Sequence, residues 1–118
     1  MNILSELAEM PGVICAGEYS YRGDRYSFKG ALDEEQARQA SIMCRATTMS
    51  VHMQTAILNS FSRDSGLYPN RGWVVKGPQF TVCVVANVFC FLDESRGSLN
   101  QVLGYMRQQL AHASTDLV

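Results

Sequence analysis

Four cysteines and two histidines are the side chains of this sequence that could form a catalytic pair, because a cysteine nucleophile needs a neighbouring base. His52 shares a predicted helix with Cys44 but lies eight residues away, which is about 12 Å along a helix axis. His112 lies close to the last residue. The sequence therefore predicts no catalytic cysteine. The thiols lie in apolar segments without a Cys-x-x-Cys pair, which predicts buried, reduced cysteines. They are Cys15, Cys44, Cys83 and Cys90.

Methionines on the same helix raise the question of a soft-metal or haem ligand, since Met and His serve as axial ligands. Met43, Met49 and Met53 are better explained by core or interface packing, where the flexible thioether fills irregular gaps. Two histidines without a shared spacing motif supply too few ligands for a metal site. The glycines fall at predicted element ends and form no phosphate-binding loop. No metal or cofactor is expected.

A basic seam runs along this helix at near-heptad steps. It consists of Arg38, Arg45, His52 and Arg63, with the uncharged Asn59 between the last two. Because no acidic residue lies between Glu35 and Asp64, the seam is suited to an anionic ligand or an acidic partner. The competing interpretation, which we favour, is a solvated helix face.

The first half of the chain contains the elements that carry these residues. A short helix ends at Pro11, and strand-like runs over residues 13–20 and 25–29 form a hairpin. Asp33, with Gln three residues later, predicts a capping box that starts a helix. Since no Gly or Pro follows before Gly66, this central helix is predicted to be about twice the length of a typical globular helix.

The second half of the chain predicts three more strands and a closing helix. Strand-like runs over residues 72–76, 79–86 and 88–92 are joined by turns too short for anything but antiparallel neighbours. An amphipathic helix follows over residues 99–110. The order α-β-β-α-β-β-β-α predicts an α+β fold with one five-stranded antiparallel sheet and a long central helix.

An interface is indicated because the central helix carries two apolar stripes, although a surface helix of a small monomer needs only one. The stripes are comparably apolar, so the pattern leaves open which of them faces the sheet. The run over residues 72–76 would also be an unprotected apolar sheet edge. Trp73 beside Arg71 is a candidate interface anchor, with a half-buried core tryptophan as the alternative. The candidate interface residues are Arg71, Trp73, Val74, Val75, Ile42, Met49, Met53 and Ala56.

Length and composition limit the function. The chain has 118 residues, 47% hydrophobic and 18% charged, which is typical of one packed domain. We expect this domain over residues 1–112 and a frayed tail over residues 113–118. A formal charge of −1 argues against a nucleic-acid partner. No apolar run is long enough to span a membrane, and the N-terminus lacks the regions of a secretory signal. A cytoplasmic location is therefore expected.

Several stretches resemble the Roadblock family, which is named for the dynein light chains and is related to profilin-like folds. They are residues 11–14 (PGVI), residues 30–33 (GALD) and the three closing strands. Residues 11–18 (PGVICAGE), 71–75 (RGWVV) and 83–88 (CVVANV) are similar to a small bacterial branch known only as a domain of unknown function. The resemblance covers nearly the whole chain. It implies a homodimer whose third strands pair and whose central helices lie side by side, acting as a scaffold or as a regulator of small GTPases.

The leading hypothesis is thus a non-enzymatic, cytoplasmic, Roadblock-like homodimer that binds a protein partner such as a small GTPase. One alternative is a small-ligand sensor or carrier with a pocket between sheet and helices, because layered folds of this kind can open such a pocket. A third hypothesis, a thiol-dependent enzyme, predicts one cysteine with a strongly depressed pKa.

Overall fold

A computed structural model of the protein describes residues 2–62, 64, 66–67 and 69–112. It confirms the predicted order of helices and strands, with ends that differ by a few residues. The elements are α1 (Ile3–Ala8), β1 (Val13–Tyr19), β2 (Tyr26–Gly30), α2 (Glu34–Phe61), β3 (Gly72–Lys76), β4 (Phe80–Val85), β5 (Val88–Asp93) and α3 (Leu99–Gln109). The predicted frayed tail, residues 113–118, lies outside the described residues.

The five strands form one antiparallel sheet in the order β2-β1-β5-β4-β3. The predicted meander is confirmed, and its second turn is the two-residue connection between Val85 and Val88. In this turn Ala86 adopts a left-handed φ of 56°, as a tight hairpin turn requires. The side-chain amide of Asn87 donates to the Tyr19 carbonyl oxygen at 2.8 Å, which ties the turn to β1. The central strands β1, β5 and β4 are thereby held together, and β2 and β3 form the two edges.

Helices cover both faces of the sheet. On one face, α1 and α3 bury Leu4, Leu7, Val102 and Met106 against alternate residues of the strands. On the other face, α2 packs through small side chains, with Ala37 and Cys44 fully buried and Ala40 nearly so. Small residues let the helix axis approach the sheet closely, so Phe89 and Tyr19 fill the space beneath it.

The long helix α2 begins at the predicted capping box. The Asp33 carboxylate accepts from the Gln36 backbone N–H at 2.8 Å, and the Gln36 side chain accepts from the Asp33 N–H at 3.1 Å. Two N–H groups that the first helical turn leaves unpaired are thus satisfied. The helix runs for 28 residues to Phe61. No helix in the described part of the chain is long and apolar enough to cross a membrane.

Candidate interaction surface

Strand β3 is an open edge of the sheet. It pairs with β4 from Gly72, opposite Val85, to Lys76, opposite Thr81, and no described strand lies on its other side. Val74 is 40% exposed and Val75 57% exposed. An edge with unpaired backbone groups and exposed valines is a template for a further strand. The structure therefore provides the apolar edge that the sequence predicted.

The outward face of α2 is apolar along most of its length. Ile42, Met49 and Met53 are 54%, 44% and 60% exposed, and Ala56 is exposed on the same stripe. The orientation that the sequence left open is now defined, because the stripe formed by Ala37, Ala40 and Cys44 is buried on the side of the sheet. We call the outward stripe, comprising Ile42, Ala46, Met49, Met53, Ala56 and Ile57, the outer stripe of α2. Its neighbour Phe61, at the helix end, is 78% exposed.

The sheet edge and α2 are joined by one buried hydroxyl. The Trp73 indole Nε1 of β3 donates to Thr48 Oγ1 of α2 at 2.8 Å. The Tyr19 hydroxyl of β1 lies 2.7 Å from the same Thr48 oxygen, and Tyr19 and Thr48 are both buried. The Trp73 side chain is half-buried against the α2 side of the sheet. Of the two interpretations of this residue, the structure therefore favours the core tryptophan.

Arg71 precedes β3 and reaches across the molecule. Its Nη1 donates to the Ala111 carbonyl oxygen at 3.1 Å, beyond the end of α3. The backbone carbonyl of Arg71 accepts from the Ala86 N–H at 3.0 Å. Arg71 is exposed and immediately precedes the first residue of β3. Because its guanidinium bonds to the segment after α3, we infer that it does not cover the open edge of the strand.

The basic seam is not a uniformly solvated face, and that expectation is corrected. Arg38 is exposed, and its Nε donates to Glu35 one turn earlier at 3.0 Å. Arg45 and His52 are half-buried, because the first hairpin turn and the segment before β3 fold against this flank of α2. His52 Nδ1 lies 3.2 Å from the Asn70 amide nitrogen. Arg63 lies outside the described residues.

The cysteines are all free and buried, as predicted. Burial raises the pKa of Cys15 and of Cys44 to about 12. Cys83 and Cys90 face each other on β4 and β5. The hydrogen bond between the two thiols lowers the pKa of Cys83. The same hydrogen bond, together with burial, raises the pKa of Cys90. Both are fully buried, and the Cys83 sulfur also contacts the Cys90 carbonyl oxygen and the Met106 sulfur. This arrangement has no accessible thiolate and no adjacent base, so it does not support thiol catalysis.

Alkaline pH is expected to destabilise the fold through Cys15 and Cys44. Their folded-state pKa of about 12 lies above the ordinary value of 9.0, so the fold favours the neutral thiols. The stabilisation is complete below pH 9 and is lost as the pH rises towards 12. The free energy of unfolding, measured by urea titration between pH 8 and 11, should fall as pH rises. Cys44→Ala should make this fall less steep, and an equally steep fall in that variant would contradict the assignment.

A metal site needs several ligating side chains around one position. Within residues 2–62, 64, 66–67 and 69–112, no group of three or more His, Cys, Asp or Glu side chains surrounds a common position. Two surface cavities open beside the first hairpin instead, one along the ends of β1 and β2 and one between the hairpin turn and α2. The second cavity is lined by Tyr19 of β1, Tyr26 of β2 and Ile42 of α2, so it lies between one end of the sheet and a helix, where the ligand-carrier hypothesis placed its pocket.

Sequence reasoning missed Thr48 as a structural residue and Phe80 as a surface residue. The signal for Thr48 was its place four residues after Cys44, a polar residue in the buried stripe of α2. Phe80 is 57% exposed at the start of β4, on the same side of the sheet as Val82. Phe80 therefore extends the exposed apolar surface that Val75 forms on this side of the sheet. No periodicity distinguishes such a residue from a buried strand residue.

Comparison with known proteins agrees with this geometry. A crystal structure of a Roadblock/LC7 domain from Streptomyces avermitilis is similar to this chain, with a TM-score of 0.54 and 16% sequence identity. The similarity covers 92% of this chain and 94% of that one, and it confirms the predicted Roadblock-like fold. No curated protein matches the sequence. Residues 3–108 match the family model of an uncharacterized conserved protein, DUF2173. The chain therefore belongs to the DUF2173 family, and its fold is that of a Roadblock/LC7 domain.

Proposed function

We propose that this protein is a non-enzymatic, cytoplasmic homodimer that acts as an interaction module, either as a scaffold or as a regulator of a small GTPase. The observation that carries the proposal is the exposure of an apolar sheet edge and an apolar helix face on adjoining elements. Monomeric proteins rarely expose both, because open edges pair and apolar patches associate.

Pairing of β3 with β3 of a second copy is compatible with the residue types and charges along the strand. In an antiparallel pair centred on Val74, the two Val74 residues face each other and Gly72 lies opposite Lys76. The two Lys76 side chains then lie at opposite ends of the strand pair, so no like charges face each other. Trp73 lies opposite Val75, and an aromatic residue beside a β-branched one is a favourable cross-strand pair. The two sheets would become one sheet of ten strands.

The same pairing places both copies of α2 on one side of the continuous sheet. Trp73 and Val82 pack in one cluster with Ala40 and Cys44 of α2, and Val75 pairs with Val82 on that face. Two α2 helices would then cover the exposed apolar floor formed by Val75 and Phe80. The methionines of the outer stripe would face a further protein, and flexible thioethers suit an adaptable contact surface.

Placing a charge at the centre of the edge tests this proposal. Val74→Lys should weaken the dimer about 100-fold, because two opposed like charges in an interface cost several kcal/mol. The dimer dissociation constant can be measured by sedimentation velocity over a concentration series. Gln108→Lys is the matched control, because it adds the same charge on an exposed position of α3. An unchanged dimer in Val74→Lys would place the interface elsewhere.

The partner class can be tested separately from the dimer. Immobilised protein should retain a small GTPase from a lysate of its own source, and substitution of Met49 and Met53 by Glu should abolish that retention. Both side chains are exposed, so the variants should fold normally. Retention that is equal in wild type and variant would exclude the outer stripe as the contact surface.

A further inference from the structure

A cavity of about 230 Å³ lies between the turn of the first hairpin and the first half of α2. Its walls combine three arginines with apolar and aromatic side chains. The arginines are Arg25, Arg38 and Arg45, and the apolar side is formed by Tyr19, Tyr26 and Ile42. The volume is below the roughly 300 Å³ at the lower end for drug-sized ligands, so it suits a smaller molecule.

Arg45 is the fixed member of this set. It is half-buried, and its Nε donates to the Tyr21 carbonyl oxygen at 2.7 Å. Gly23 packs against the guanidinium so closely that a Cβ at this position would lie 3.0 Å from Arg45 Cζ. In the described part of the chain, no carboxylate lies within 4.0 Å of the Arg45 guanidinium. A guanidinium that is held in place and unpaired is preorganised for an oxyanion.

The charge on the cavity wall is unbalanced. Among the lining residues, Asp24 is the carboxylate that accompanies the three arginines. Its Oδ1 accepts from the Ser20 hydroxyl at 2.6 Å and lies 4.0 Å from Arg25 Nε. Arg38 shares its charge with Glu35, which lies outside the wall. Arg25 and Arg38 are exposed, with side-chain exposures of 85% and 49%, and Arg38 would exchange its ion pair with Glu35 for one with the ligand. When Glu35 is counted with its partner Arg38, the wall carries one more positive than negative group, and Arg45 is the cation without a carboxylate beside it.

We propose that this cavity binds a small organic oxyanion, a carboxylate or a phosphate ester, whose apolar part packs against Tyr26 and Ile42. Arg45 binds the oxyanion through its free donors, and Arg25 and Arg38 close over it. A fork of parallel N–H donors matches the oxygens of either group. The site does not depend on the proposed dimer, because none of its arginines lies on β3.

The experiment is an NMR titration of the ¹⁵N-labelled protein with benzoate, with phenyl phosphate and with uncharged benzyl alcohol. We expect saturable shifts of the backbone amides of residues 23–26 and 38–45 with one or both anions and none with the alcohol. The anion that binds more tightly identifies the headgroup. Val74→Lys should bind as the wild type does, so loss of the dimer and loss of this site are separable.

Variants decide whether the arginines are responsible. Arg45→Gln should weaken binding at least tenfold, because hydrogen bonds to charged groups are the strong ones. The double variant Arg25→Gln and Arg38→Gln should do the same, and its exposed positions leave the fold intact. Arg107→Gln, on an exposed position of α3, is the matched control and should bind normally. Absence of saturable shifts, equal binding of the alcohol, or unchanged affinity in both arginine variants would overturn the proposal.

Discussion

Thr48→Val should lower the free energy of unfolding by about 2–4 kcal/mol, because two polar groups lose their partner and each such loss costs about 1–3 kcal/mol. Valine has nearly the shape of threonine but lacks the hydroxyl that lies 2.7 Å from the Tyr19 hydroxyl and 2.8 Å from Trp73 Nε1. Tyr19 is 2% exposed, so water cannot replace the lost bond. Chemical denaturation of the two proteins measures the difference.

Thr48→Ser is the matched control, since it keeps the hydroxyl and removes one methyl group. It should cost about 1 kcal/mol, close to the contribution of a buried methylene. The emission of Trp73, the one tryptophan of the chain, provides a second readout and should change in the valine variant alone. If Thr48→Val proved as stable as Thr48→Ser, the hydroxyl would not hold β1, β3 and α2 together.

Gly97→Ala should destabilise the protein by about 3 kcal/mol, the upper end of the usual cost of overpacking. A Cβ at Gly97 would overlap the Pro11 carbonyl oxygen and lie 2.7 Å from the Pro11 carbonyl carbon. Both atoms belong to the backbone, so no side-chain rotation relieves the clash. Gly12 makes the crossing tighter, because it adopts a φ of 81° and its carbonyl accepts from the Asp93 N–H at 2.8 Å. The change should therefore open the junction between the α1–β1 turn and the β5–α3 loop.

Gly104→Ala is the control for this prediction, and its expected effect has the opposite sign. Gly104 lies within α3, and a Cβ there would meet nothing within 4 Å beyond its chain neighbours and the backbone of its own helix. Alanine in a helix interior is favoured over glycine by about 0.5–1 kcal/mol. Thermal unfolding should show a lower Tm for Gly97→Ala and a higher Tm for Gly104→Ala. Two shifts of the same sign would contradict the close backbone crossing.

Local signals in the sequence predicted most of the fold. The Asp33 capping box marked the start of α2, and short turns at Gly77 and Asn87 required antiparallel strands. These features depend on residues within a few positions of each other, so they can be inferred from spacing alone. The apolar edge at Val74 and Val75 was also predicted, with the resemblance to the Roadblock family identifying the third strand as the one that pairs between copies.

The remaining features depend on contacts between distant residues. The packing face of α2 was decided by side-chain volume, since Ala37, Ala40 and Cys44 are small enough for a close approach to the sheet. The apolar character of the helix could not decide it, because both stripes share that character. Thr48 bonds to residues 29 and 25 positions away. Its role therefore becomes visible only when three elements are placed together.

The basic seam of α2 is a second feature that depends on contacts between distant residues. Its near-heptad spacing correctly placed Arg38, Arg45 and His52 along one flank of α2, but spacing does not reveal what packs against that flank. The first hairpin covers Arg45 through Tyr21, and this contact converts one side chain of a charged row into the wall of a cavity. Burial of a charged residue by a distant turn is not visible in a helical pattern.

The mass of the unmodified protein in solution tests the central proposal most directly. Light scattering at low micromolar concentration should give twice the 13.1 kDa mass of the chain, because the open β3 edge pairs with that of a second copy. The same sample of Val74→Lys should shift towards the mass of one chain. A wild-type protein that remains at 13.1 kDa across this concentration range would contradict the homodimer.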